Sequence, residues 1–320
     1  MNPLKKNNKS IIIDSNNPHD LFFKATFGDL EVSKDFLKNN LPASITKYMD
    51  FDTLDNHDGT FVDEDLQKYF SDLLYKIDIN NNEAYIYILY EHKSYYTEKT
   101  VLQILKYILK IWEKAYDSNS KILPVVLPIL VYHGKNQWQI ENNVKCLIPD
   151  YDKLPKEFLK YIPNFDFELF DLSPKNNTVI KGHFLAKTIA EAFKAIRINN
   201  IEDFKNSYSK IIELITGLEN IDSEKAEWLY RLIIYYILNI RDDIDEKKLL
   251  EFDRERGEII MSTAEKIRLE GRLEGRLEGE MKKAVETAKK MLKARLKIEQ
   301  IAEFTGLSIA EINDLKKEMK

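Results

Sequence analysis

Apolar and polar positions along the chain change their spacing in blocks, and each block predicts an element. Residues 1–16 are polar and rich in Asn and Lys and are expected to form a mobile arm. Asn17 stands where a helix N-cap belongs and Pro18 at the first helical position, so a helix is predicted from His19 towards Gly28. A second runs from about Glu31 to Asn39 and stops before Leu41-Pro42. The period then shifts to that of strands, expected around Thr60–Val62, over Leu73–Ile79 and over Ala84–Glu91. The last contains Tyr-Ile-Tyr-Ile-Leu-Tyr, aromatic and β-branched residues that suit a pleated surface. Helical spacing returns from Thr97 to Tyr116, with Val101, Leu102, Leu105, Ile108, Leu109 and Trp112 expected on one broad apolar face. Val125 to Tyr132 is continuously apolar, as in a strand covered on both faces. Pro128 in its middle has no N–H, which predicts pairing on one side only at that point. Phe165 to Phe170 alternates and predicts a further strand. The resulting order is α-β-β-β-α-β.

Beyond Gly182 the spacing is helical throughout, with helices predicted over Phe184–Ile196, Ile201–Leu218 and Ser223–Ile240. The division expected from these blocks is an α/β core over 17–180, an all-α region over 181–260 and a C-terminal segment over 261–320. In that last segment Arg-Leu-Glu-Gly occurs three times in succession, at 268–279. Leu269, Leu273 and Leu277 form an apolar row, flanked by a row of arginines and a row of glutamates. Like charges four apart repel within one helix, and each glycine costs about 1 kcal/mol relative to alanine. Two readings fit: a helix that packs against a second copy, with the glycines allowing close approach, or a solvated linker. Further on, Ile298–Phe304 and Ala310–Met319 predict two short helices around a turn at Thr305-Gly306-Leu307, with Ser308 and Glu311 as a capping box. This is either a helix-turn-helix-like element or a small capping hairpin.

Composition narrows the class. The 320 residues are 44% hydrophobic and 32% charged, ordinary for a water-soluble protein. The longest apolar run, Ile122–Tyr132, falls well short of the roughly 20 residues a membrane helix needs. The first residues lack the apolar segment of a signal peptide. Cys146 is the single cysteine, which excludes an internal disulfide and a cysteine-based zinc cluster. A cytosolic protein is expected. The net charge of −5 weighs against tight nucleic-acid binding. Between Met281 and Lys297, however, seven basic residues stand against Glu286 alone, a local excess that permits salt-dependent binding.

The candidate chemistry lies between residues 71 and 107. Glu91 and Lys93 are two apart near the end of a predicted strand and so share a face, while His92 points away. Asp72 opens another apolar run, Leu73–Ile79. Two carboxylates and an ammonium at one sheet edge suit metal-assisted phosphodiester hydrolysis. The carboxylates hold a hard divalent cation, which polarises the phosphate and acidifies a water, and the lysine orients that water or steadies developing charge. Gln103 and Tyr107, one helical turn apart, suit either phosphate and lysine positioning or plain packing. Asp20 and Lys24 form either an i,i+4 pair or a helix end facing the site.

Asp…Glu-x-Lys on consecutive strands, followed by Gln-x-x-x-Tyr on a helix, resembles the PD-(D/E)XK nuclease superfamily. More narrowly, the chain is similar to the Rpn family of recombination-promoting nucleases. The matching stretches are His19-Asp20-Leu21-Phe22-Phe23-Lys24, Asp35-Phe36-Leu37 with Leu41-Pro42, Ser71-Asp72-Leu73-Leu74-Tyr75, Tyr90-Glu91-His92-Lys93-Ser94, and Pro128 through Gly134 with Trp138. They cover roughly the first half of the chain. Relatives often carry Glu-His-Gln-Ser where this chain has Lys93, and Ser71 stands where the superfamily's name has proline.

The resemblance implies an α/β fold with a restriction-endonuclease-like PD-(D/E)XK core, an α-helical extension and a C-terminal helix. It implies catalysis by Asp72, Glu91 and Lys93, with Gln103, Tyr107 and Asp20 in support. Asp72, Glu91 and the backbone carbonyl of His92 would hold Mg²⁺, or Ca²⁺ or Mn²⁺. The expected partner is DNA, cut to leave 5′-phosphate and 3′-hydroxyl ends, in recombination, mobile-element biology or defence. A homo-oligomer through the C-terminal helix is expected, and no membrane. Two rivals remain: a catalytically idle oligomeric DNA-associated scaffold, and a DDE-type transposase, which the acid-x-lysine unit disfavours.

Overall fold

Three strands fold back on one another and two more extend the sheet in parallel. In this computed structural model the described residues are 17–57, 73–91, 99–117, 122–174, 176 and 180–319. The N-terminal arm, the strand expected around Thr60–Val62, and Asp72, His92 and Lys93 lie outside them. The strands are β1 (Met49–Asn56), β2 (Leu73–Ile79), β3 (Asn82–Glu91), β4 (Val125–Tyr132) and β5 (Glu168–Asp171), adjacent in that order. β1–β2 and β2–β3 are antiparallel, whereas β3–β4 and β4–β5 are parallel. A two-residue turn joins β2 to β3, with Asn80 and Asn81 both at positive φ (51° and 61°), a conformation asparagine tolerates well.

The expected bounds of β2 and β4 hold. Pro128 pairs with Tyr87 of β3, while pairing to β5 begins only at Ile129, as its missing N–H requires. β5 starts later than the alternation suggested, because Asp166 instead bridges Asn143. β1 was not expected. Its buried Met49, Phe51 and Leu54 are interspersed with aspartates, and its pairing slips between Asp50 and Asp55, which breaks the simple alternation.

Helices cover both faces. α1 (Pro18–Phe27) and α2 (Leu30–Asn40) lie on one. Phe23 stacks on Tyr90 at 4.4 Å, Phe36 meets Phe170 edge-on at 4.7 Å, and the Tyr75 hydroxyl donates to the Phe27 carbonyl. α3 (Lys99–Ala115) crosses the other face and buries Val101, Ile104, Tyr107, Ile108 and Ile111 against Leu74, Tyr87, Leu89 and Leu130. Its apolar face is therefore rotated from the one expected: Leu102 and Leu109 are exposed. The helix has more apolar circumference than one contact can cover.

The helices expected beyond Gly182 form α4 (Phe184–Ala195), α5 (Ile201–Glu219) and α6 (Ser223–Ile240), followed by α7 (Glu246–Phe252). They belong to the same compact unit as the sheet, which extends to Ile259. α4 packs on α2 and α6 on α1. Phe22 stacks on Tyr236 at 4.3 Å, and Lys225 of α6 pairs with Asp29, the N-cap of α2, at 2.6 Å.

The second unit starts at Ile260. It comprises most of α8 (Gly257–Lys293), with α9 (Ile298–Thr305) and α10 (Ile309–Glu318). Gly306 turns the chain between the last two at φ 73°, and the expected capping box of Ser308 and Glu311 opens α10. Ala288, Ile301, Leu307 and Ile312 form its core.

The Phe23 ring joins α1 to the sheet and is fully buried. Phe23→Ala should lower unfolding stability by about 3–5 kcal/mol. Urea denaturation measures this, and a loss within error of zero would contradict the packing described.

Candidate active site

β3 runs between two neighbours of opposite sense. Antiparallel pairing with β2 brings the start of β2 to the end of β3, where Leu73 pairs with Ile88. Parallel pairing with β4 brings the ends of both strands level, and Glu91 pairs with Tyr132. Tyr132 in turn pairs with Asp171 of β5. Glu91, Tyr132 and Asp171 therefore form a row across three strand ends on the face that α3 covers, the end at which open α/β sheets gather ligands. The Glu91 carbonyl accepts from the His133 N–H at 2.8 Å, which extends the ladder one residue beyond β4.

Glu91 is only 5% exposed, although it follows an unbroken run of apolar strand residues. On the same face Tyr107 stacks on Tyr87 at 4.7 Å. One turn earlier on α3, the Gln103 side-chain nitrogen is buried without a hydrogen-bond partner, and so is the Thr100 hydroxyl. Of the residues expected from sequence, the structure thus brings Gln103 and Tyr107 to the α3 face that Glu91 shares. Asp20 belongs with Tyr90, the residue before Glu91, which points to the opposite face. Burial pushes the Tyr90 and Tyr236 hydroxyls well above the usual tyrosine range, and the Asp20 carboxylate adds to the shift while Arg197 opposes it.

Two features escaped sequence reasoning. Asp171 is buried at the strand end, and its carboxylate accepts from the Trp138 and Ser173 N–H groups, each at 2.9 Å. This ties the segment after β4 down beside Tyr132. A side chain at Gly134 would collide with the Tyr132 ring, so the backbone can pass there only as glycine. The sequence marks its position, directly after the alternating Phe165–Phe170 stretch, but not its burial.

The second is a buried polar cluster on the α1 face. His133 Nε2 lies 2.6 Å from the Phe193 carbonyl, which only accepts, so Nε2 carries the proton. In the neutral ring Nδ1 then accepts from the Tyr90 hydroxyl at 3.1 Å. His19 Nδ1 meets the Tyr236 hydroxyl at 2.5 Å, and Arg197 donates to the His133 carbonyl at 3.2 Å. His133 thus ties the end of β4 to α1 and α4. No local pattern could have paired His19 with Tyr236, which is 217 positions away.

Among the described residues no group of three His, Cys, Asp or Glu side chains converges to hold a metal ion. Glu91 supplies one carboxylate; the other expected donors, Asp72 and the His92 carbonyl, lie outside the described residues. Carboxylate and carbonyl oxygens form a hard donor set of the kind magnesium and calcium take. The unpartnered Gln103 amide also leaves a donor on the Glu91 face that an anionic substrate oxygen could satisfy. The residues therefore suit such a cation.

No solved structure matches the chain. Among curated proteins, "Recombination-promoting nuclease RpnA" of Escherichia coli (strain K12) is 28% identical over 299 residues, covering 93% of this chain and 97% of that protein. "Recombination-promoting nuclease RpnC" of the same strain is 31% identical over 121 residues, covering 38% of this chain and 40% of that protein. "Inactive recombination-promoting nuclease-like protein RpnE", also of that strain, is 25% identical over 303 residues, 93% of this chain and 97% of that protein. Residues 17–226, from the N-cap of α1 into α6, match one family model, and the chain belongs to that family, described as "Putative transposase, YhgA-like".

Proposed function

We propose that this protein is a divalent-metal-dependent DNA endonuclease with a PD-(D/E)XK core. The observation that carries this reading is Glu91, a carboxylate buried at the end of a central strand, directly after the apolar run Ala84–Tyr90 and at the sheet end where β2 begins. Asp72 is bonded to Leu73, the first residue of β2, and Lys93 follows Glu91 by two residues. The α-β-β-β-α-β succession and the relatives named recombination-promoting nucleases support the same reading.

Asp72, Glu91 and the His92 carbonyl would hold Mg²⁺, with Ca²⁺ or Mn²⁺ as alternatives, which when bound supplies phosphate polarisation and acidification of a water. Lys93 orients the attacking water and steadies negative charge on the phosphate. The Gln103 amide donates to a phosphate oxygen and gains the partner it lacks in the free protein. Attack in line with the departing 3′-oxygen leaves a 5′-phosphate and a 3′-hydroxyl. The role would lie in recombination, mobile elements or defence, inside the cell.

A second reading, a catalytically idle DNA-associated scaffold, draws on the relative named inactive. Asp72, Glu91 and Lys93 are all retained in this chain, which favours activity.

Plasmid nicking separates the two. Wild type should nick with Mg²⁺ and not in EDTA, while Asp72→Ala and Glu91→Gln should lose nicking with little change in melting temperature. Lys93→Ala should slow turnover by orders of magnitude yet keep metal affinity, and Lys93→Gln should retain more activity. Wild type without metal-dependent nicking would leave the scaffold reading standing.

Gln103→Leu removes an unpartnered buried donor, so it should raise stability by about 1 kcal/mol or more while reducing cleavage. A simultaneous loss of stability and activity would assign Gln103 to packing alone.

For assembly, Leu269, Leu273 and Leu277 on α8 are 56%, 51% and 52% exposed, which supports a homo-oligomer through this row. Leucine and glycine rows lie about 160° apart on a helix, so a leucine-centred contact does not use the glycines, contrary to the close approach expected from sequence. A Cβ at Gly271, Gly275 or Gly279 meets open space. Replacing the three leucines with glutamate should give a smaller species in light scattering that still nicks, whereas Gly275→Ala should leave the oligomer intact. A wild type that is monomeric at micromolar concentration would reduce the repeat to a linker.

A further inference from the structure

The C-terminal unit has the outline of a helix-turn-helix, in which the second helix would enter a DNA groove. Its chemistry argues otherwise. Over Ile309–Glu318, α10 carries Glu311, Asp314 and Glu318 against Lys316 and Lys317. Glu311 is held by the Ser308 cap, and Lys317 is paired to Asp314 at 2.8 Å. α9 adds Glu299 and Glu303. Gln300 on α9 and Asn313 and Lys316 on α10 make a thin set for reading base edges.

The cationic surface is elsewhere in the same unit. Over Met281–Lys293, α8 carries five lysines, Lys282, Lys283, Lys289, Lys290 and Lys293, against Glu286. Ala284, Val285, Ala288, Met291 and Leu292 pack into the core of the unit. At about 100° per residue, all five lysines lie on the side turned away from that core. Lys282, Lys283, Lys290 and Lys293 are exposed and Lys289 is half-buried. None of the five is in an ion pair among the described residues. From Lys282 to Lys293 the face is roughly 16 Å long at 1.5 Å per residue.

We propose that this outward lysine face of α8 is a docking surface for the phosphate backbone of duplex DNA, separate from the catalytic site and blind to sequence. Duplex DNA carries one charge per about 1.7 Å of axis, dense enough to engage all five ammonium groups. Lysine is a compact point charge on a flexible stem, suited to phosphates rather than to bidentate reading of bases. An anionic membrane is the poorer fit, because charge alone holds a helix there only weakly and stable attachment also needs an apolar face to insert. The apolar face of this segment is already occupied by α9 and α10.

The test is fluorescence anisotropy of the full chain with a labelled duplex in EDTA, so that binding is read without cleavage and failure of the nuclease reading would leave the result intact. If four or five lysines engage phosphates, log Kobs should fall with log[salt] at a slope of about −4. The triple variant Lys283→Gln, Lys290→Gln, Lys293→Gln should lose at least tenfold in affinity at low salt and flatten the slope by about 2.7. Arginine at the same three positions should restore both, which excludes a folding defect. A glutamine variant with unchanged affinity and slope would overturn the proposal. So would a strong preference for one duplex sequence, or binding to phosphatidylserine vesicles in place of DNA.

Discussion

The parallel pairing of β3 with β4 is the constraint from which the rest of the fold follows. Eight consecutive residue pairs, from Ala84 with Val125 to Glu91 with Tyr132, join the two strands. Parallel neighbours need a crossover, and α3 is that crossover. Because β3 also pairs with β2, it lies inside the sheet, and its side chains must be covered on both faces. α3 meets Tyr87 and Leu89, while α1 meets Tyr90. The same registry makes the strand ends level, so that Glu91, Tyr132 and Asp171 come into one row. A buried carboxylate costs free energy that packing does not return. Its place at the end of this strand, where the sheet switches from antiparallel to parallel, points to a purpose beyond stability.

The helical half is tied to the same strand end from the other side. His133 follows β4 directly, accepts from Tyr90 through Nδ1 and donates to the Phe193 carbonyl of α4. Phe193, Phe22 and Tyr236 form an aromatic group in which α4, α1 and α6 meet. Buried hydrogen bonds of this kind are costly to break singly, because each leaves an unpaired partner in a low-dielectric setting. The position of β3 at its C-terminal end therefore depends on residues more than a hundred positions away in sequence. It also explains why the family match runs past the sheet and into α6.

Where one face or one local contact decides an element, the sequence was legible. β2, β4 and α6 have their expected bounds, and the capping box at Ser308 is present. Glu91 could be singled out because an acid after a long apolar strand breaks the pattern. Errors arose where two surfaces compete or partners are remote. α3 has more apolar residues than its contact needs, so its buried face could not be chosen from spacing alone. β1 hides three core residues among aspartates, and Asp171 lies just past the alternating Phe165–Phe170 stretch, where nothing local marks an acid as buried. The His19–Tyr236 contact has no local signature. Asp72 and Lys93, the other parts of the expected acid-acid-lysine set, rest on sequence order and resemblance.

The overall charge of −5 does not decide nucleic-acid binding, because charge acts locally. At physiological ionic strength the Debye length is about 8 Å, so an exposed phosphate responds to charges within a few residues' reach and little to the sum over the chain. The five lysines of α8 are gathered on one helix side within roughly 16 Å, and over Met281–Lys293 Glu286 alone opposes them. A cationic face of that length exceeds the screening distance, so a polyanion lying along it meets an attractive surface whatever the total charge. Association of this kind weakens steeply with salt, because its driving force is the release of counterions from the phosphates. It also requires no base contact, which agrees with the thin set of base-reading side chains, Asn313 and Lys316, on α10.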